Sequence, residues 1–209
     1  MKRREALRLI AGAAVLPILS HDLLALGRGI QSEIGPHTVL KTLNPHQNAT
    51  VITMAELIIP ATETPGAKAA RVNEFIDHVL TDWSRDNDRK RFLDGLAQAD
   101  VRSRSLFGKD FIQCSRQQQI EFLLLLDNEL ARLREEVPRK SRKPSARKDD
   151  DLSQTPVEKN FFHNMKRLTL LGYYTSEIGW TQELGRPAFH FGPYQACTAV
   201  TSEKGNSGN

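Results

Sequence analysis

The chain has 209 residues, 26% of them charged and 39% hydrophobic, with a formal net charge of +4. That length suits one domain with appendages, and that apolar share suits one modest core. Much of the positive charge is local, in Lys2-Arg3-Arg4 and in six Lys or Arg between positions 139 and 148, so no general basic surface for nucleic acid is implied.

Residues 1–26 open with Lys2, Arg3 and Arg4, continue through a short apolar run from Leu9 to Leu19, and break at Ser20, His21 and Asp22. A membrane-crossing helix needs about 20 apolar residues, so this run is too short for one and reads as an export signal. Arg3-Arg4 followed by Glu5, Ala6, Leu7 and Arg8, with a mild Ala- and Gly-rich apolar run, resembles the twin-arginine signal. That resemblance implies export of a folded passenger through the twin-arginine translocation machinery; a buried or amphipathic basic helix is the plainer reading. The nearest approach to a cleavage site lies around Ala25, and both cleavage and retention as a tether stay open. Residues 27–42 read as a flexible passage, punctuated by Gly27, Gly29, Gly35 and Pro36.

The domain is placed at residues 43–200. Asn44 as N-cap, Pro45 at the first position and Gln47 at the capping-box position start a helix that Pro60 ends. A turn follows around Pro65-Gly66. Val72, Phe75, Ile76, Val79, Leu80 and Trp83 share one face of a second helix. A third carries Phe92, Leu96 and Ala99 inward and stops at Gly108, with Asp82, Asp86 and Asp88 around its start, where the helix dipole favours negative charge. Ser115 and Gln118 cap a fourth, whose run Phe122 to Leu126 covers more than one face and predicts a central helix.

Residues 138–156 form a charge-rich, apolar-poor insert with three prolines. It reads as a solvated linker, or as a docking strip for an acidic partner or anionic lipid. A fifth helix follows, with Phe161, Phe162, Met165, Leu168 and Leu171/Gly172 inward. Periodicity fails after Ser176, so an irregular aromatic tail is expected from Trp180 to Val200 and disorder over 201–209. With no long alternating run, the fold class is all-α: a single compact domain of about five helices.

Chemistry-bearing motifs are sparse. No dinucleotide, nucleotide-phosphate, zinc-protease or nucleophile-elbow signature occurs, and the six histidines lie apart in sequence. No catalytic, cofactor or metal residue is assigned. The two cysteines, Cys114 and Cys197, are either one disulfide or two buried thiols. Glu177, beside Tyr173, Tyr174, Thr175 and Ser176, is either an acid–base group or part of a helix end that shapes a binding surface. Trp180, Phe189, Phe191 and Tyr194 are of the residue types that anchor interfaces, and self-packing of the tail explains them equally well.

Four stretches together carry a resemblance: the Arg3-Arg4 start, "AELIIPATETPGAKAARVNEFID" at 55–77, "LFGKDF" at 106–111, and "FFHNMKRLTLLGYYTSEIG" at 161–179. The chain resembles the gluconate 2-dehydrogenase subunit 3 family, the small subunit of membrane-associated flavin dehydrogenases. The resemblance implies a non-catalytic partner of a large FAD-containing subunit of the glucose–methanol–choline type, with haem c in a further cytochrome subunit and no cofactor in this chain. It also implies an export escort working in the periplasm, associated with the inner membrane through the complex or an uncleaved signal. Tyr173, Tyr174, Glu177, Trp180, Phe189, Phe191 and Tyr194 are then the candidate partner interface. The alternatives are a small stand-alone enzyme using Glu177 with Tyr173 or Tyr174, and a membrane-surface structural protein.

Overall fold

The structure, a computed structural model, describes residues 21–34, 39–136 and 154–185. Arg3, Arg4, Phe189, Phe191, Tyr194, Cys197 and nearly all of the charged insert lie outside the described residues.

Seven α-helices occur among the described residues: α1 His21–Glu33, α2 Pro45–Ile58, α3 Val72–His78, α4 Asp86–Phe107, α5 Arg116–Glu136, α6 Pro156–Lys159 and α7 Phe161–Thr175. A 3₁₀ turn spans Phe111–Gln113, and π-helical segments span Val79–Trp83 and Gly179–Glu183. The all-α expectation stands, but five helices is an undercount, because α1 and α6 were not foreseen. The single turn of α6 is held by a capping box between Thr155 and Glu158 with Pro156 at its start.

Residues 27–33 are helix, not passage, which corrects the reading of their glycines. A Cβ on Gly27 would lie 2.7 Å from the Thr175 methyl and 3.0 Å from Leu171 Cδ1. Gly27 is there so that α1 can approach α7 closely. Gln31 Nε2 donates to the Gly172 carbonyl at 2.9 Å, fastening the same pair.

Helix starts and stops follow local chemistry. Both halves of the Asn44/Gln47 capping box are present on α2, and Ser115 with Gln118 makes the same reciprocal pair before α5. Gly108 ends α4 in the left-handed conformation, φ 74°, where a side chain would be strained. Asp86 and Asp88 fall in the first turn of α4, while Asp82 lies in the preceding π segment and pairs with His78 Nδ1 at 3.2 Å.

The centre of the core is α7, with ten of its 15 residues buried; it packs against each of the other six helices. The sequence gives that role to the Phe122–Leu126 helix. On α5, however, Phe122, Leu123, Leu126 and Leu130 are buried and Leu124 and Leu125 only half so. Trp83 is a second correction: it is 50% exposed. A π turn closes hydrogen bonds over one extra residue, so the segment 79–83 carries Trp83 off the face that Val72, Phe75, Ile76 and Leu80 bury.

Candidate functional site

The exit of α7 decides where the predicted site residues point. Tyr173 is fully buried, and its hydroxyl donates to the Pro65 carbonyl at 2.8 Å. It is therefore a core residue, and its place in a partner interface is corrected: a phenol enclosed by α7 and the Pro65 turn presents nothing outward. Tyr174 is half-buried, edge-on to Tyr173 with ring centroids 5.3 Å apart. Gly172 abuts the Phe75 ring, the close packing its position suggests. Gly179 is needed for contact rather than for an unusual turn, since a Cβ there would lie 2.0 Å from the Tyr173 carbonyl oxygen. Ser176 locks the corner: its hydroxyl donates to the Tyr173 carbonyl at 2.6 Å and accepts from the Gly179 amide at 3.1 Å.

Beyond this corner the chain enters the π segment Gly179–Glu183, where an irregular tail was expected from Trp180. Its far end is tied back by Thr64 Oγ1 donating to Glu183 at 2.8 Å. Trp180 is half-buried, with the Arg28 guanidinium 3.6 Å from its ring centroid. Glu177 is exposed.

These residues line a cleft of about 470 Å³ between α1, residues 69–71 and the α7 exit. Arg28, Arg71, Glu177 and Trp180 are on its walls. Arg71 has left-handed backbone (φ 54°), uncommon for a residue with a side chain. Its guanidinium holds both oxygens of Glu74, a planar fork that fixes the start of α3.

A second cleft, of about 530 Å³, opens between α1, the π segment 79–83 and the start of α7. Trp83, Leu26, Arg91, His163 and Arg167 are among its lining residues. Both tryptophans of the chain thus stand on π-helical segments, and each lines one of the two clefts. Such segments recur at functional sites, because the widened turn re-aims its side chains. No sequence pattern separated these turns from ordinary helix, so the second cleft was not anticipated. Helix α1 walls both clefts, with Arg28, Gln31 and Ser32 on one and Leu23, Leu26 and Ile30 on the other.

Remaining polar groups fasten elements to one another. Glu56 accepts from the amides of Ala61 and Lys68, each at 2.9 Å. Two histidines find carboxylates from distant elements: His46 Nε2 lies 2.6 Å from Asp100, and His78 Nε2 lies 2.8 Å from Glu33. Asp100 also accepts from the Phe111 amide, which makes it the brace of the "LFGKDF" turn. Cys114 is a free buried thiol, 3.2 Å from Ser103 Oγ; its possible disulfide partner Cys197 lies outside the described residues. No group of three or more His, Cys, Asp or Glu is arranged to hold a metal among the described residues. None of the described helices is long and apolar enough to cross a membrane.

Among the described residues the chain is a small all-helical body whose buried carboxylates Asp77 and Asp100 are engaged by backbone amides. Residues 45–189 match the family described as gluconate 2-dehydrogenase subunit 3. The chain belongs to that family. No curated protein and no solved structure matches it significantly. The matched range begins at the first residue of α2, so α1 precedes it.

Proposed function

We propose that this chain is the non-catalytic small subunit, and the export escort, of a periplasmic FAD-dependent dehydrogenase of the glucose–methanol–choline type acting on a sugar, sugar acid or alcohol. The observation that carries this reading is the match of residues 45–189 to a family defined as a dehydrogenase subunit. The flavin then belongs to the large subunit and haem c to a further one. The complex, or an uncleaved signal, holds the chain at the inner membrane.

The cleft of Glu177 and Trp180 is the surface we assign to the large subunit. An exposed carboxylate beside an Arg-stacked indole offers the charge and the aromatic area that interface cores favour. A pairing of Glu177 with Tyr173 finds no support in the geometry, because the Tyr173 hydroxyl is committed to Pro65 while Glu177 is exposed. Ala25 lies within α1, so cleavage there would sever a helix packed on α7. The export reading therefore carries the expectation that α1 stays whole in the exported chain, which an intact mass of the periplasmic protein checks.

Co-purification tests the reading. The tagged chain, isolated from the periplasmic fraction, should bring a large flavin-absorbing protein in equal amount, and Trp180→Ala with Glu177→Arg should reduce that yield at least ten-fold. A chain that elutes alone overturns it.

A further inference from the structure

We propose that the cleft between α1, the π segment 79–83 and the start of α7 binds a small amphiphilic anion, a carboxylate or phosphate head on an apolar chain, with the head on Arg167 and the chain along Leu26 and Trp83. This inference is independent of the partner assignment above, which concerns the other cleft.

The argument starts from charge. Arg167 reaches into this cleft from α7, and among the described residues it has no hydrogen-bond acceptor and no carboxylate at ion-pair distance. A guanidinium carries five N–H donors and stays protonated, and those of half-buried Arg167 are met by solvent in the cleft rather than by a protein acceptor. The two nearby carboxylates are already committed. Asp88 is bound by Arg91 and by Gln154 Nε2 at 3.2 Å. Glu158 accepts from the Thr155 amide at 2.7 Å and the Thr155 hydroxyl at 3.0 Å. His163, in the same cleft, is kept neutral down to about pH 4, first by burial, so it adds no positive charge beside Arg167. What remains is Arg167, a half-buried cation facing the cleft, with exposed Arg85 as a further positive charge on its lining.

The apolar half of the argument comes from the rim. Leu26 is 45% exposed and Trp83 is 50% exposed, and both line this cleft. Leaving two large apolar side chains in water beside an unpaired cation is a cost that a ligand with both characters would remove. About 530 Å³ is within the range of roughly 300–1,000 Å³ for small-molecule sites. The unusual backbone lies here too, since the π segment is what turns Trp83 outward.

The test uses the full chain with Trp180→Phe, whose remaining tryptophan is Trp83. Decanoate should change Trp83 emission saturably, and decanol, with the same tail and no charge, should bind at least ten-fold more weakly. Arg167→Gln should weaken decanoate at least ten-fold with unchanged circular dichroism. Leu26→Asp, at a position 45% exposed, should do the same by calorimetry, again with unchanged circular dichroism. Vesicles separate the sources of the anion: phosphatidylglycerol but not phosphatidylcholine vesicles binding in an Arg167-dependent way, without decanoate binding, assigns the same head-and-tail chemistry to a lipid surface. The proposal is overturned if neither decanoate nor phosphatidylglycerol binds through Arg167, or if decanol equals decanoate. It is overturned as well if Arg167→Gln, made in the parent chain with Trp180 intact, abolishes co-purification of a partner protein while decanoate never binds, because a partner carboxylate then fills the cleft.

Discussion

The Tyr173 hydroxyl donates to the Pro65 carbonyl at 2.8 Å across 108 residues of chain. That single bond joins the stretch "IIPATETPGA" to the stretch "LGYYTSEIG". The corner after α7 and the turn after α2 are consequently one structural unit. Thr64 to Glu183 repeats the connection one step further out.

Replacing Tyr173 by Phe removes only the hydroxyl and should cost about 1 kcal/mol, the net worth of an ordinary hydrogen bond. Tyr173→Ala empties a fully buried ring position and should cost about 4 kcal/mol. Urea unfolding measures both. Equal losses would mean that the ring contributes nothing beyond its hydroxyl.

Asp77 is buried on α3 and accepts three backbone amides from residues before α2: Lys41 at 2.8 Å, Thr42 at 3.0 Å and Leu43 at 2.7 Å. Asp77→Ala leaves those donors without their acceptor and should destabilise the chain by about 3 kcal/mol. Asp77→Asn keeps one acceptor oxygen and should lose less. Hydrogen exchange at Leu43 should accelerate in both variants, and more in the alanine one.

Lys166 is only 4% exposed and donates to Asp127 at 2.7 Å. Its pKa is lowered, first by burial, against the opposing pull of Asp127. Asp127→Ala strands that charge and should cost about 3 kcal/mol, whereas adding Lys166→Met should restore most of the loss. A double variant no better than the single one would show that Asp127 matters for some reason other than its partner.

His163 sits at about 4, well below its ordinary 6.5, because burial and then the charges of Arg134 and Arg167 disfavour the imidazolium. Between those two values the unfolded chain takes up a proton that the folded chain refuses. Stability associated with His163 is therefore fully present above pH 6.5 and falls as the pH drops toward 4, by about 3 kcal/mol over the window. Melting temperatures at pH 7 and pH 5 should differ less in His163→Gln than in the parent chain. An unchanged difference would place the acid sensitivity elsewhere.

Much of the element pattern was legible because it is local. Asn44 with Gln47, Ser115 with Gln118, and Gly108 each announce a helix boundary from within four residues of chain, and the structure bears each of them out. The inward faces of α4 and α7 followed from spacing alone, with Phe92, Leu96, Phe162 and Met165 all buried. Gly27 misled because a glycine at a helix–helix contact and a glycine in a loop look alike until the neighbouring helix is known. Trp83 misled because a π turn breaks the 3.6-residue period on which its inward placement rested. Tyr173 and Glu177 lie four residues apart, yet one is sealed in the core and the other is in solvent.

By itself, then, the sequence determined the all-α class, most helix limits and the resemblance to a dehydrogenase small subunit, because capping, periodicity and distinctive stretches act over a few residues. Only the tertiary structure decided that α7 rather than α5 is the central helix, that α1 walls both clefts, and that Arg167 faces one of them without an acceptor. Those outcomes depend on which surfaces meet across more than a hundred residues. No local spacing encodes whether a given side chain finds its partner there.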